Sequence, residues 1–298
     1  MPVLGRNEKT EEQAAREGLP AAAPGRWLST CANPACATGW LQLWRRRTAP
    51  VFEGGWTCSA ECTRARVATA VAREMAGWTP AREPHRHRVP LGLLLLEQRW
   101  IGPNQLRRAL EAQREAGAGR LGEWLMRQGA LSEERLTQAL GLQWNCPVLP
   151  LEYHDAQGLA ALMPRLFLDA FGALPVRVAA GRVLYLGFEQ TLDPVLALGL
   201  ERMLELRVEC GIVAASQFRP GLQRMLEAEF PRVELIETAG PAAAARALAR
   251  SIERARPLAS RLVRVHDCLW LRMSKRTGNG LQGPAAAVED VVCSIGGL

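Results

Sequence analysis

Four of the eight cysteines in this sequence lie in two short pairs whose spacing could hold a metal ion. Cys31 and Cys36 form the first pair, and Cys58 and Cys62 form the second. Because the N-terminal residues lack the apolar core of a signal peptide, the two pairs predict a zinc ion bound by four thiolates. Four protein ligands close the coordination sphere, so the predicted zinc is structural. The alternative is incidental buried thiols, but a segment of this size has little core without a metal.

A second candidate site lies in a stretch of 24 residues that occurs twice, thirty residues apart. The copies are PLGLLLLEQRWIGPNQLRRALEAQ from Pro90 and RLGEWLMRQGALSEERLTQALGLQ from Arg120. Their shared positions include Leu91/Leu121, Gly92/Gly122, Leu95/Leu125, Leu106/Leu136, Leu110/Leu140 and Gln113/Gln143. The glycine after the first leucine allows close backbone approach, and N–H groups at a helix start attract anions. Two quasi-equivalent copies would suit a ligand that is itself two-fold.

The elements that position these residues are readable from local patterns. Each copy has apolar residues at helical spacing on both sides of a turn, which predicts two helices. Pro103 suits the first position of a helix in copy one, and Ser132 is a good N-cap in copy two. Two αα-hairpins packed on each other would explain the leucines without any ligand. Helix-forming residues follow Cys58, so the second cysteine pair is predicted at a helix start.

The repeated Arg-Leu-Gly pattern with its closing glutamine resembles the tandem motif of the MshEN domain. This domain precedes type II secretion and type IV pilus ATPases of the GspE kind. The resemblance implies that cyclic di-GMP binds with one motif on each half, through the arginine, the Leu-Gly backbone, the flanking leucines and the glutamine. In copy one Pro90 replaces the family's arginine and Arg99 replaces its glycine. Arg88, two residues upstream, is the candidate substitute for the missing arginine.

The implied ligand-binding residues form one set across the two copies. They are Arg88, Leu91, Gly92, Leu95, Leu106, Leu110, Gln113, Arg120, Leu121, Gly122, Leu125, Leu136, Leu140 and Gln143. No catalytic residue is predicted. The adjacent His266 and Asp267 would point to opposite faces of a strand, which argues against joint chemistry.

The expected fold class is α+β, with a helical tandem-hairpin lobe, then a small α/β lobe, preceded by a small zinc-bound module. The W-x-C-S-x-x-C spacing around Cys58 resembles treble-clef or FCS-like zinc knuckles. The second half of the MshEN domain is similar to the strand and helix pattern that follows the repeats. The predicted divisions are a disordered tail (1–25), the zinc module (26–80), a linker (81–88), the helical lobe (89–147), the α/β lobe (148–228), a helical linker (229–260) and a C-terminal strand pair (261–298).

Composition limits the remaining choices. Apolar residues make up 48% of the 298, enough for a core, yet no apolar run is long enough for a membrane span. Residues 1–90 hold thirteen Lys or Arg against eight Asp or Glu. Because arginine dominates throughout, genome composition explains this excess at least as well as a nucleic-acid partner. Four tryptophans are expected around the zinc rather than stacked on nucleic acid: Trp27, Trp40, Trp44 and Trp56.

Motifs for catalysis are missing from the sequence. It has no G-x-x-x-x-G-K-[ST], so the ATPase that normally follows an MshEN domain is not expected. The sequence therefore predicts a non-enzymatic, cytoplasmic regulator that binds cyclic di-GMP and docks a protein partner of a secretion or pilus system. One alternative is a structural interaction module that has lost the nucleotide, which Pro90 and Arg99 favour. The other is a zinc-knuckle protein that binds nucleic acid.

Overall fold

The computed structural model describes residues 31–37, 49–76, 88–151, 155–277 and 280–295, and within them the predicted α+β class is confirmed. The predicted disordered tail and nearly all of the 81–88 linker lie outside these residues, as do Trp27, Trp40 and Trp44. In the part of the chain that the structure describes, no helix is long and apolar enough to cross a bilayer.

The N-terminal module consists of two very short strands and a helix. They are β1 (Val51–Phe52), β2 (Gly55–Trp56) and α1 (Ala60–Met75). Ser59 caps α1, because its Oγ accepts a hydrogen bond from the backbone N–H of Cys62 at 3.2 Å. The helix therefore starts between the cysteines of the second pair, as the sequence predicts.

The helical lobe contains the two predicted hairpins. Its helices are α2 (Leu91–Glu97), α3 (Pro103–Ala116), α4 (Leu121–Arg127) and α5 (Glu133–Trp144). Pro103 opens α3, and the Ser132 side chain accepts from the N–H of Arg135, so both predicted helix starts are confirmed. The buried core of this lobe pairs equivalent positions of the two copies: Leu95 with Leu125, Ile101 with Leu131, and Ala109 with Ala139.

The turn inside each hairpin has a left-handed residue at equivalent positions, Arg99 in copy one and Gly129 in copy two. Arg99 has φ +56° and its counterpart Gly129 has φ +65°. In both copies the next residue donates its N–H into the preceding helix, from Trp100 to Leu95 at 3.0 Å and from Ala130 to Leu125 at 2.9 Å. The left-handed conformation is thus preserved in copy one, and Arg99 bears its steric strain.

We expect Arg99→Gly to raise the free energy of unfolding by about 1 kcal/mol, because glycine adopts a positive φ without strain. Gly129→Ala is the reciprocal variant: its new Cβ would meet no heavy atom within 4 Å, so only backbone strain is added. It should lower the free energy of unfolding by a similar amount. Urea denaturation midpoints of both variants against wild type measure the effect. Changes of equal sign in the two variants would contradict the argument.

The α/β lobe follows the helical lobe and has a three-stranded sheet. Its elements are α6 (Ala156–Ala160), α7 (Arg165–Phe171), β3 (Ala173–Ala179), β4 (Val183–Phe188), α8 (Pro194–Leu204), β5 (Arg207–Ile212) and α9 (Ala215–Leu226). β4 lies in the centre, antiparallel to β3 and parallel to β5. Before α6, Val148 forms an isolated parallel bridge with Ile212 of β5.

The C-terminal region differs from the predicted helical linker and strand pair. It contains β6 (Arg232–Thr238), α10 (Pro241–Ala255), β7 (Ala259–Val265), β8 (Cys268–Ser274) and β9 (Val288–Ile295). These strands form one sheet in the order β6-β9-β8-β7, with β6 parallel to β9. The prediction is therefore corrected: 229–260 holds a strand before its helix, and 261–298 holds three strands. A pairing across fifty residues leaves no local signal in the sequence.

This four-stranded sheet is the centre of the molecule. One face, which includes Trp270 and Val292, shares a core with the α/β lobe, where Trp270 meets Phe167 edge to face at 5.3 Å. The other face, which includes Leu271 and Val291, packs on α10 and α1. The N-terminal module and the C-terminal sheet therefore share one hydrophobic cluster although they lie at opposite ends of the sequence.

Glu74, at the end of α1, joins three parts of the chain. Its carboxylate accepts from the guanidinium groups of Arg73 and Arg202 and from the backbone N–H of Arg264. Burial alone would raise the pKa of Glu74, but the hydrogen bonds from both arginines lower it below its usual range. The buried carboxylate is thus ionised, and it ties α1 to α8 and β7.

A second polar contact joins the α/β lobe to the β7–β8 turn. His266 has φ +50°, and its Nε2 lies 2.7 Å from Oδ2 of Asp193, the N-cap of α8. The hydrogen bond to Asp193 raises the pKa of His266, against the opposing effect of burial. Burial raises the pKa of Asp193, yet the contact with His266 and the N–H groups of α8 lower it overall. Both shifts favour a charged pair in the folded state.

The contact between His266 and Asp193 should stabilise the fold most at intermediate pH and less at both acidic and alkaline pH. A raised folded pKa means that the His266 contribution is complete below its unfolded value of about 6.5 and is lost as pH rises through the folded value. The Asp193 contribution is present above about pH 4 and is lost as pH falls. His266→Asn, which tolerates a positive φ, should remove the loss on the alkaline side. Urea midpoints at about pH 5.5 and about pH 8.5 test this, and a wild-type midpoint no more pH-sensitive than the variant's would contradict it.

Candidate functional site

The four predicted metal ligands meet at the N-terminal end of α1. The sulfur atoms of Cys31, Cys36, Cys58 and Cys62 all lie within 4.8 Å of one another. The Cys36 and Cys58 sulfurs are 3.5 Å apart, and those of Cys58 and Cys62 are 3.6 Å apart. A tetrahedral zinc with bonds of about 2.3 Å requires sulfur separations of about 3.8 Å. The described side chains therefore fit a four-thiolate zinc site, and Trp56 packs in the same small cluster.

The surroundings of the sulfurs suit a metal. Asn33 donates from Nδ2 to the Cys62 sulfur at 3.4 Å, and its main-chain carbonyl accepts from the N–H of Cys36. Burial raises the pKa of the Cys31 thiol to about 12. A bound cation reverses this effect, because it holds coordinating sulfurs as thiolates. Zinc would close the site entirely with protein ligands, so its chemistry here would be structural.

The second candidate site begins with the two closing glutamines, which exchange contacts between the hairpins. Gln113, at the end of copy one, donates to the carbonyl oxygen of Gly119 at 2.9 Å. Gln143, at the end of copy two, donates to the carbonyl oxygen of Val89 at 2.8 Å. Each glutamine therefore fixes the chain just before the Leu-Gly step of the other copy. This reciprocity gives the lobe a local two-fold character, while ligand contacts from either amide stay a prediction.

The two glycines of the Leu-Gly steps are required by packing. A Cβ on Gly92 would lie 2.9 Å from Leu106, and a Cβ on Gly122 would lie 2.8 Å from the equivalent Leu136. Each glycine thus lets the second helix of its hairpin approach the first. The close approach in this structure is made by the Leu106 and Leu136 side chains, and approach of a ligand to the Leu-Gly backbone stays a prediction.

A cavity of about 160 Å³ opens beside the Leu-Gly step of copy two. Its walls include residues of both copies and of the α/β lobe: Leu91, Arg120, Leu121, Gly122, Leu136, Thr137, Leu140, Glu189, Gln190 and Arg219. Arg120 Nη1 donates to Oε1 of Gln190. Three glutamates also line the cavity, Glu123, Glu133 and Glu189, and Glu189 forms an ion pair with Arg219 at 3.0 Å.

Arg88 is linked to the same region through α5. Its guanidinium lies over the Trp144 ring, and Trp144 Nε1 donates to the main-chain oxygen of Gln190 at 2.8 Å. Gln190 therefore contacts Arg120 directly and is linked to Arg88 through Trp144. The role of Arg88 as the substitute for the arginine that Pro90 replaces stays a prediction.

Besides Arg120, five of the predicted ligand residues line this cavity: Leu91, Leu121, Gly122, Leu136 and Leu140. Two other predicted leucines are not exposed at all. Leu95 and Leu125 are fully buried in the core of the helical lobe, so the structure corrects their predicted role as ligand walls to packing. Their spacing matched the motif, but spacing alone does not show which side of a helix faces a ligand. Leu106 packs against the Gly92 step, and Leu110 is partly exposed on the same helix, α3.

Residues from the α/β lobe are the part of this site that sequence reasoning missed. Glu189 and Gln190 lie in the loop between β4 and α8, and Arg219 lies on α9. The one signal in the sequence was the loop GFEQTLDP, which is longer than the Ala-x-x-Asp-Pro turn of the resembled family. Gln190 of this loop contacts Arg120 and Trp144 of the helical lobe.

These features define an α+β protein with a tandem-hairpin lobe and a cluster of four cysteines that could hold a metal ion. No family model matches the chain. It is 34% identical over 142 residues to bacteriophage adsorption protein B of Escherichia coli strain K12, which covers 45% of this chain and 18% of that protein. It is 33% identical over 90 residues to the type IV pilus assembly ATPase PilB of Myxococcus xanthus, which covers 30% of this chain and 16% of the ATPase. The chain thus spans less than a fifth of the length of these curated relatives.

Two solved structures are similar over almost half of this chain. MshE, solved with cyclic di-GMP, is 29% identical with a TM-score of 0.39, covering 46% of this chain and 99% of that one. The N-terminal domain of XpsE is 23% identical with a TM-score of 0.32, covering 45% of this chain and 92% of that one. At TM-scores below 0.5, the residues and contacts of the chain itself carry the functional argument.

Proposed function

We propose that this protein is a non-enzymatic regulator that binds cyclic di-GMP across its tandem hairpins and holds zinc in its N-terminal module. The observation that carries the ligand proposal is the cavity of copy two, where Arg120 and the Leu121-Gly122 step of the repeated motif share one opening. The ligand itself is the one that the MshEN resemblance implies. Sequence similarity to a pilus assembly ATPase agrees with a partner in a pilus or secretion system.

The chemistry of the cavity suits half of a guanine dinucleotide. A guanidinium can donate two hydrogen bonds to O6 and N7 of guanine, or it can contact a phosphodiester oxygen. Leu121, Leu136 and Leu140 supply apolar walls for a base. Arg88 is the proposed second cation for the other half of the ligand, and its guanidinium lies over the Trp144 ring, whose Nε1 donates to Gln190.

Isothermal titration with cyclic di-GMP tests the proposal on four proteins. Arg120→Ala should weaken binding about tenfold or more, because a charged hydrogen bond contributes about 1.5–3 kcal/mol. Arg88→Ala should weaken binding to a lesser degree. Arg135→Ala is the matched control, because Arg135 is an exposed arginine on α5 outside the cavity walls, and its affinity should equal wild type within about twofold.

Two outcomes would count against the proposal. Equal affinities of wild type and Arg120→Ala would remove Arg120 from the ligand site. Absence of binding in all four proteins at high micromolar ligand would favour the alternative, a structural interaction module that keeps the fold and has lost the nucleotide.

A further inference from the structure

The loop between β4 and α8 places a side chain where the ligand's contacts with Arg120 should be. Gln190 Oε1 accepts from Nη1 of Arg120, and the main-chain oxygen of the same residue accepts from Trp144 Nε1 at 2.8 Å. One loop residue thus contacts the arginine of copy two and the last residue of α5. An amide oxygen is a neutral acceptor of the same geometry as guanine O6. Gln190 therefore makes with Arg120 a contact of the kind that a base would make.

The cavity is too small to hold the ligand while Gln190 contacts Arg120, so the two compete for this arginine. Small-molecule sites have volumes of about 300–1,000 Å³, whereas this cavity measures about 160 Å³. Half of a cyclic dinucleotide, with base, sugar and phosphate, requires more room than this. The Leu-Gly step and Leu136 are fixed by the packing of the hairpin. The wall that can give way is the Gln190 side chain, which is half-buried and whose Oε1 accepts from Arg120.

A neighbouring contact joins the two lobes independently of the Gln190 side chain. Glu133 of α5 accepts from the backbone N–H of Ser216 of α9 at 2.8 Å. Within the α/β lobe, Glu189 of the same loop pairs with Arg219. The Gln190 side chain can therefore leave Arg120 while Glu133 still holds the two lobes together.

We propose that Gln190 is an affinity-setting residue of the cyclic dinucleotide site, contributed by the α/β lobe, which occupies Arg120 until the ligand displaces it. This inference rests on the proposed function. Its consequence is that the free chain holds its second half-site closed, so the nucleotide must reach a higher concentration before binding. A ligand that takes over Arg120 also frees the Gln190 side chain, which would couple binding at the hairpins to the α/β lobe.

Titration calorimetry with cyclic di-GMP on the full chain tests the proposal directly. Gln190→Ala should bind about threefold to tenfold more tightly than wild type, which is the fold-change expected from one exposed hydrogen bond that no longer has to be broken. Trp144→Phe keeps a ring under Arg88 and removes only the indole N–H, so it should loosen the loop and tighten binding to a smaller degree. Gln138→Ala is the matched control, an exposed glutamine on α5 outside the cavity, and its affinity should match wild type.

The outcomes separate this inference from the proposed function. Tighter binding by Gln190→Ala, or binding by this variant where wild type shows none, supports the competition. Equal or weaker binding by Gln190→Ala, with wild type binding normally, overturns the inference and leaves the proposed function intact, because Gln190 would then orient Arg120 for the ligand. Absence of binding in wild type and all variants overturns both. Circular dichroism of each variant confirms that it folds before its affinity is compared.

Discussion

Asp290→Asn is expected to lower the free energy of unfolding by about 3–5 kcal/mol, among the largest effects of any single change in this chain. Asp290 and Arg272 face each other in register on β9 and β8, and their side chains are completely buried. The Asp290 carboxylate accepts from Nε and Nη2 of Arg272 and from Nε1 of Trp270, with bonds of 2.7–2.8 Å. Loss of its charge would leave a guanidinium buried without a counter-charge.

The Arg272–Asp290 pair also contacts the neighbouring lobe, so Asp290→Asn should weaken more than the sheet itself. Arg272 also donates from Nη1 to the main-chain oxygen of Leu162 in the α/β lobe, at 2.8 Å. The ion pair therefore fixes the central sheet and orients a contact between the sheet and the neighbouring lobe. Because a domain has a stability of about 5–15 kcal/mol in total, the single variant should lose about a fifth or more of it.

Urea denaturation measures the effect through the midpoint at constant slope. Asp267→Asn removes the same charge at an exposed position of the β7–β8 turn, and it should change the stability by less than about 0.5 kcal/mol. A double variant, Arg272→Met with Asp290→Leu, removes both charges and should be more stable than Asp290→Asn alone. A loss below about 1 kcal/mol for Asp290→Asn would show that the pair is not the contact described here.

How much of this fold could be predicted depends on the sequence distance between the residues that make each contact. The hairpins were predictable because Pro103, Ser132 and the leucine spacing act within one or two helical turns. The ion pair between Arg272 and Asp290 could not be predicted, because an arginine in an apolar strand does not show which carboxylate it will contact. The pairing of β6 with β9 crosses some fifty residues, and only the folded chain shows it.

The candidate sites show the same division. The cysteine cluster follows from spacing, since each pair is local and the tetrahedral requirement joins them. The ligand cavity was predicted on its repeat side only, because that side carries a motif. Gln190 contacts Arg120 across seventy residues, and the longer loop indicated a departure without showing where the loop would lie. The buried Leu95 and Leu125 show that a motif match does not separate packing residues from ligand walls.

Removal of the predicted zinc is expected to lower the free energy of unfolding strongly, the second large effect expected for this chain. Cys58→Ser with Cys62→Ser takes away two of the four sulfurs that lie within 4.8 Å of one another. In isolated zinc fingers the metal contributes about 10–16 kcal/mol, and without it they unfold. Here α1 keeps other support, because Val67, Ala70 and Val71 belong to the apolar cluster beneath α10. We therefore expect a loss of several kcal/mol, smaller than in a finger that has no other core.

The zinc site and the apolar cluster of α1 stabilise different parts of the module, so their effects can be measured separately. The cysteine variant should lose about one zinc per chain, and the segment before α1 should become sensitive to protease while α1 itself stays helical. Cys210→Ser is the matched control, since Cys210 lies on β5 away from the cluster and should leave the metal content unchanged. Mass spectrometry of metal content and limited proteolysis on the same samples give the answer. Equal zinc in the variant and in wild type would contradict the four-thiolate site, and an unchanged protease pattern after metal loss would show that α1 and its apolar cluster hold the module without a metal.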